Sequence, residues 1–202
     1  MDMESLMRFP RHLVGDEINE YAYTELVKWL GTYGYSQEEV VIVLNSGGGR
    51  IVHMLGMYDA IQIFPGTVHV LALGHCMSAA VTLMMATDRK RRYAGRNTRF
   101  MTHAVRQVQE ETVLPCSVEP PSEEALKAYD QLTGANMTET YELHERQIQL
   151  LMQGTRLPEE TVRELVGSDR FFWPEEALRL GIIGEIIEPK SKDSPPEHPT
   201  LW

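Results

Sequence analysis

Cysteine is scarce: the 202 residues hold two, Cys76 and Cys116. Two cysteines make no disulfide framework, and Cys76 lies in an apolar stretch, so a reducing, cytoplasmic setting is expected. Long apolar runs are lacking too. None nears the roughly 20 residues of a membrane span, and the opening MDMESLMRFPRH has no signal-type apolar core. A soluble chain with no membrane partner is expected. Positive charge is in short supply, 19 Lys and Arg against 29 Asp and Glu for a net charge of −10, which disfavours nucleic acid as a partner. The one basic cluster, Arg89-Lys90-Arg91-Arg92, is too short to reverse that balance. With 43% apolar and 24% charged residues the composition is that of a globular protein, and the length suits one domain. No internal repeat is visible.

What is present is an alternation of strand-like and helix-like segments. Arg11 to Val14 reads as a short strand, with Asp16 capping a helix whose apolar positions Ile18, Ala22, Leu26, Trp29 and Leu30 step by threes and fours, ended by Gly31 and Gly34. Val40 to Leu44 is an unbroken β-branched run, the pattern of a strand buried on both faces of a parallel sheet. It enters the loop Asn45-Ser46-Gly47-Gly48-Gly49, after which Ile51 to Ile61 has helical spacing, stopped by Phe64-Pro65-Gly66. A second apolar strand, Val68 to Leu73, meets the small-residue turn Gly74 to Ser78, then a helix, Ala79 to Ala86, and a third strand, Arg99 to Thr102. Such alternation predicts a parallel α/β sheet with ligands beyond the carboxyl ends of its strands, here Asn45 to Gly49, Gly74 to Ser78, and His103. The second half is more helical: Ser122-Glu123-Glu124 opens a long region with the stripe Met137, Tyr141, His144, Ile148, Leu151, where Gly134 marks a kink or split. Leu157-Pro158 and Pro174 each open a shorter helix, Ile182 to Ile187 is a last strand, and 189–202 reads as a flexible tail.

Two residues at those strand ends carry candidate chemistry. Ser78 sits between a strand end and a helix start, where a hydroxyl points out of the sheet beside helix N–H groups; capping the helix is its plainer use. His103 follows the third strand directly, and most histidines so placed are simply exposed or satisfied in the core. The glycine loop lacks the Gly-Lys-Ser/Thr ending of a nucleotide P-loop, which leaves it a backbone donor beside an oxyanion.

Taken together, these segments resemble the proteolytic subunit family of the Clp protease, self-compartmentalising serine peptidases of the crotonase-like fold. The resemblance covers about Arg11 to Glu188 as a single peptidase domain. Asn45 to Gly49 with Met57-Tyr58-Asp59-Ala60-Ile61 is similar to the family's Asn-Ser-Pro-Gly-Gly loop and Ile-Tyr-Asp helix. Gly74 to Ala80 is similar to its nucleophile turn, Thr98 to His103 to its Ser-Arg-Val-Met-Ile-His strand, and Asp169-Arg170-Phe171 with Glu175-Glu176-Ala177 to its Arg-Asp-Arg-Phe segment and following helix. The resemblance implies an α/β fold of repeated β-β-α units with a projecting helical handle at about 106–156. It implies a triad of Ser78, His103 and Asp169, with backbone N–H groups of Gly49 and Ala79 as the oxyanion hole; Asp88 and Asp130 are other acids of the chain, in segments unlike the family's. No cofactor or metal is implied. The implied partners are further copies in stacked rings, an unfolded protein or peptide substrate, and an AAA+ unfoldase.

Departures from the family pattern bear on these expectations. Gly47 replaces the loop proline, Ala79 the usual methionine, and Ala104-Val105 the Gln-Pro after the histidine, so substrate pockets differ. The stretch between His103 and Asp169 is longer than usual, with the excess between Arg106 and Ser122. About ten residues precede the first strand, too few for the family's pore hairpin, which predicts a pore fringed by a mobile tail and ATP-independent cleavage of short peptides. Two competing readings stay open: a crotonase-type acyl-CoA enzyme using the same oxyanion hole, and a catalytically silent ring subunit or scaffold.

Overall fold

The chain is described by a computed structural model over residues 3–33, 38–106, 122–133 and 136–188. Among these residues lie seven strands, β1 (Arg11–Ile18), β2 (Glu39–Gly49), β3 (Thr67–Met77), β4 (Arg92–Gly95), β5 (Arg99–Thr102), β6 (Arg170–Phe172) and β7 (Glu185–Ile187). Eight α-helices accompany them: α1 (Met3–Leu6), α2 (Glu20–Tyr33), α3 (Ile51–Ile63), α4 (Ala79–Met84), α5 (Glu123–Thr133), α6 (Met137–Thr155), α7 (Glu159–Val166) and α8 (Pro174–Arg179). The sheet runs β1-β2-β3-β4-β7 with every neighbouring pair parallel, and β5 pairs parallel with the far end of β3 and antiparallel with β6.

The β-branched run lands in β2, where Val40, Val41, Ile42 and Leu44 are buried, as a central strand covered on both faces requires. The main core lies between the sheet and α2, α3, α4, α6 and α7, and includes Leu26, Leu30, Met54, Met57, Leu83, Ile148, Leu151 and Leu165. On the sheet's other side a smaller cluster joins Val41, Leu71, Tyr93 and Ile187 to Leu6 of α1. Leu6 is fully buried, and burying a leucine is worth about 1.5–3 kcal/mol. The opening segment is therefore packed on the sheet from Leu6 on, which corrects the expectation of a mobile fringe.

Other expectations shift by local chemistry. Asp16 is no helix cap: it lies inside β1 at φ 55, at the bulge where the β1–β2 register slips, and the cap of α2 is Asn19, whose Oδ1 accepts from Ala22 N–H at 3.0 Å. The helix runs through Gly31, and Gly34 lies outside the described residues. Both presumed turns are strand continuations, β2 to Gly49 and β3 to Met77. The long helical region is two helices, α5 and α6, bridged by Asp130, which accepts from Met137 N–H at 2.6 Å and Thr138 N–H at 3.2 Å. The stripe on α6 is not left exposed in the single chain. Met137, His144, Ile148 and Leu151 are buried within it. The 106–156 handle and the 189–202 tail lie partly or wholly outside the described residues, as does Cys116. Cys76 is buried, and desolvation pushes its thiol far up, away from reactivity.

Candidate active site

Strand register brings the three candidate residues to one end of the sheet. In the parallel β3–β5 pair Met77 stands opposite Met101, and Ser78 N–H donates to Met101 O at 2.7 Å, so Ser78 leaves its strand one residue before β5 ends. In the antiparallel β5–β6 pair Thr102 stands opposite Arg170. His103 directly follows β5 and Asp169 directly precedes β6, so the two flank the end of that ladder. The pair is clamped by Phe100 and Phe172, whose rings stack at 5.6 Å between centroids and 5° between planes, and by Thr102 Oγ1, which donates to Leu165 O at 2.7 Å.

Ser78 occupies a backbone conformation, φ 54 and ψ −122, that L-residues rarely adopt, and its side chain makes no cap bond to α4. The helix-cap reading of Ser78 therefore fails in this structure. The strained turn stands directly before α4, whose first residue is Ala79, where a helix offers N–H groups with no intrahelical acceptor.

The glycine loop braces this turn. Ser46 is buried, its hydroxyl donating to Asp16 O and accepting from Gly48 N–H at 3.1 Å. Asn45 Oδ1 accepts from His75 N–H at 3.0 Å, tying the loop to the end of β3. Gly48, at φ 99, lies directly against the serine: a Cβ there would stand 2.6 Å from Ser78 Cβ and 3.1 Å from Ser78 Oγ. Gly49 packs instead on the backbone of Ile18. The residue in contact with the serine is thus Gly48, the neighbour of Gly49, whose backbone N–H is the expected oxyanion donor.

His103 is half-buried. Its Nδ1–H donates to Ala104 O at 2.6 Å, which leaves Nε2 as the basic nitrogen. Burial pushes the imidazole below the ordinary histidine range; the Ala104 carbonyl raises it, Arg106 lowers it and Asp169 raises it. Asp169 is exposed and paired with Arg106. Among the described residues no hydrogen bond joins Ser78 Oγ to His103 or His103 to Asp169. The other acids are committed elsewhere, Asp130 to the start of α6 and Asp88 to Arg91.

Two neighbours of His103 escaped the sequence reading. Gln147 Nε2 reaches His103 O at 3.5 Å and Thr82 Oγ1 at 3.4 Å, and His144, buried beside Gln147, is lowered by desolvation and feels His103. Their spacing on α6 marks them only as inward-facing. Among the described residues no three His, Cys, Asp or Glu side chains cluster as a metal ion would need, and no helix is long and apolar enough to cross a membrane.

Comparison with known proteins agrees with this architecture. The family model described as Clp protease matches residues 2–190. The ATP-dependent Clp protease proteolytic subunit of Deinococcus radiodurans is 28% identical over 152 residues, 75% of this chain and 66% of that protein. Subunit 3 of the same enzyme from Rhodococcus jostii is 24% identical over 182 residues, 90% of this chain and 81% of that one. Among solved structures, a point mutant of ClpP1 from Listeria monocytogenes superposes with a TM-score of 0.72 at 25% identity, covering 93% of this chain and 96% of the other. With the family model matched over nearly the whole length, the chain belongs to the Clp protease family.

Proposed function

We propose that the chain is a serine-type endopeptidase subunit, with Ser78 as nucleophile, His103 as general base and Asp169 as the acid that orients and stabilises the imidazolium. In this reading Ser78 Oγ attacks the scissile carbonyl while its proton passes to His103 Nε2. The negative oxygen is held by Ala79 N–H and a glycine-loop N–H, taken as that of Gly49, beside the space Gly48 keeps clear. His103 returns the proton to the leaving amine, and water then hydrolyses the acyl-enzyme by the reverse relay. Substrates are peptides and unfolded chains. The working form is a stacked ring of identical subunits, with short peptides cut without ATP and an unfoldase needed for folded proteins.

The observation that carries the reading is Ser78 at φ 54, uncapped, between β3 and α4 with a glycine against its side chain. A helix cap needs no such strain, whereas a nucleophile elbow does. A crotonase-type enzyme has no use for it. The pairing of Asp169 with Arg106 favours the silent-subunit reading instead. A fluorophosphonate probe separates the two: covalent mass gain mapped to Ser78, lost in Ser78→Ala and His103→Ala, supports the peptidase. An unlabelled wild type that assembles and melts cooperatively overturns it. Native mass measurement of the same sample tests the ring: a species of only 23.0 kDa at micromolar concentration contradicts it.

A further inference from the structure

The feature that the proposed chemistry leaves unexplained is Arg106. It lies three residues past His103 and pairs with Asp169, the carboxylate the imidazole needs. Arg170, adjacent to Asp169 in sequence, is taken by Glu176 at 2.5 Å, and Arg106 is the ion-pair partner of Asp169 among the described residues. His103 meanwhile gives its Nδ1–H to Ala104 O, a neutral acceptor one residue away. The tautomer is the useful one, but the charge that steadies the imidazolium is engaged elsewhere. Arg106 and the proton on His103 thus compete for one carboxylate.

We propose that Arg106 is an autoinhibitory latch, a positioning residue that holds Asp169 away from His103 in the resting subunit. The inference rests on the triad reading above. Release exchanges hydrogen bonds only: Arg106 leaves the Asp169 carboxylate, and His103 Nδ1–H passes from Ala104 O to Asp169, with Nε2 still basic. Arg106 and Asp169 side chains are 38% and 46% exposed, so water and salt reach the pair and the latch is shallow. An exposed ion pair shifts an equilibrium by roughly twofold to fivefold, which sets the size of the effect.

The test is the rate of fluorophosphonate labelling at Ser78 in the full chain, for wild type, Arg106→Gln, Asp169→Asn and the double variant. Arg106→Gln is expected to label about twofold to fivefold faster than wild type, with an unchanged melting curve. Raising salt from about 0.05 to 0.5 M, which shortens the screening length, is expected to speed the wild type and leave Arg106→Gln unmoved. In the Asp169→Asn background Arg106→Gln is expected to give no gain, because the latch acts only through that carboxylate. A residue that merely braced the loop would show slower labelling and a lower melting point, and that result overturns the latch. So does a gain that persists with Asp169→Asn. The outcomes stay separable from the triad: if Ser78→Ala labels like wild type the serine reading fails, whereas loss in Ser78→Ala with no gain in Arg106→Gln removes only the latch.

Discussion

Replacing Gly48 with alanine adds one methyl group in the place where the glycine loop meets Ser78. That methyl would lie 2.6 Å from Ser78 Cβ and 2.8 Å from Met77 O. Carbon pairs settle at about 3.5–4.0 Å, so the loop and the turn must part by about 1 Å. Neither side yields easily: Ser78 is tied to Met101 O, and Gly48 to Ser46, which is locked to β1. The backbone at Gly48, φ 99, also disfavours any side chain. Overpacking of this kind costs about 1–3 kcal/mol, or a melting point lower by roughly 2–12 °C for a chain of this size. The effect on chemistry is larger, since a nucleophile misplaced by 1 Å loses about a hundredfold in rate. We expect Gly48→Ala to remain folded at 20 °C and to react with the fluorophosphonate probe about a hundred times more slowly. Gly47→Ala is the control in the same loop, because a Cβ there meets nothing within 4 Å; it should react within threefold of wild type. Equal labelling of Gly48→Ala and Gly47→Ala would refute the claim that Gly48 sets the position of Ser78.

Asp169→Asn should slow peptide hydrolysis at least a hundredfold, since the imidazolium loses its counter-charge; a harmless substitution, measured as steady-state turnover, would put the orienting acid elsewhere. Because burial lowers His103, activity should stay level down to the ordinary histidine value of about 6.5 and decline only below it; a decline already complete by pH 7 contradicts this. Stability shares that direction. His103 and His144 are both lowered in the folded chain, so the unfolded chain binds more protons below about pH 6.5, and the denaturation midpoint should fall as pH drops from 7 to 5. Phe172→Ala should cost about 3–5 kcal/mol and also slow labelling, because its stack on Phe100 holds the strand that presents Asp169; a stable variant with unimpaired labelling would uncouple the two.

The parts of this fold that are legible in the sequence are those with local causes. The Val40 to Leu44 run, the 3.6-residue spacing of α3 and the proline openings of α7 and α8 each declare their own structure, and each stands where it was read. The strand β4 escaped because its four residues begin in the basic cluster: Arg92 reads as surface charge. In the structure Arg92 is buried, its guanidinium donating to the carbonyls of Thr87 and Gly154 at 2.8 and 3.0 Å. Desolvation lowers it to about 10. Thr87 is five residues away, but the Gly154 carbonyl comes from a distant segment, 62 residues on, which no window around Arg92 reveals. The candidate site divides in the same way. Ser78, His103 and Asp169 are visible as residue types at strand ends. Which glycine faces the serine, and which cation faces the aspartate, depend on register slips and side-chain reach across three strands.

The turn at Ser78 has a consequence for how this protein can change. A φ of 54 with ψ −122 is territory where glycine alone moves freely, and a side chain held there costs on the order of 1–3 kcal/mol. The most direct stabilising substitution available to the chain is therefore Ser78→Gly, which relieves the backbone and deletes the hydroxyl together. Selection for robustness and selection for activity pull this one codon in opposite directions, so a lineage released from the need to cut peptides would be expected to lose its serine early while keeping its sheet and its core.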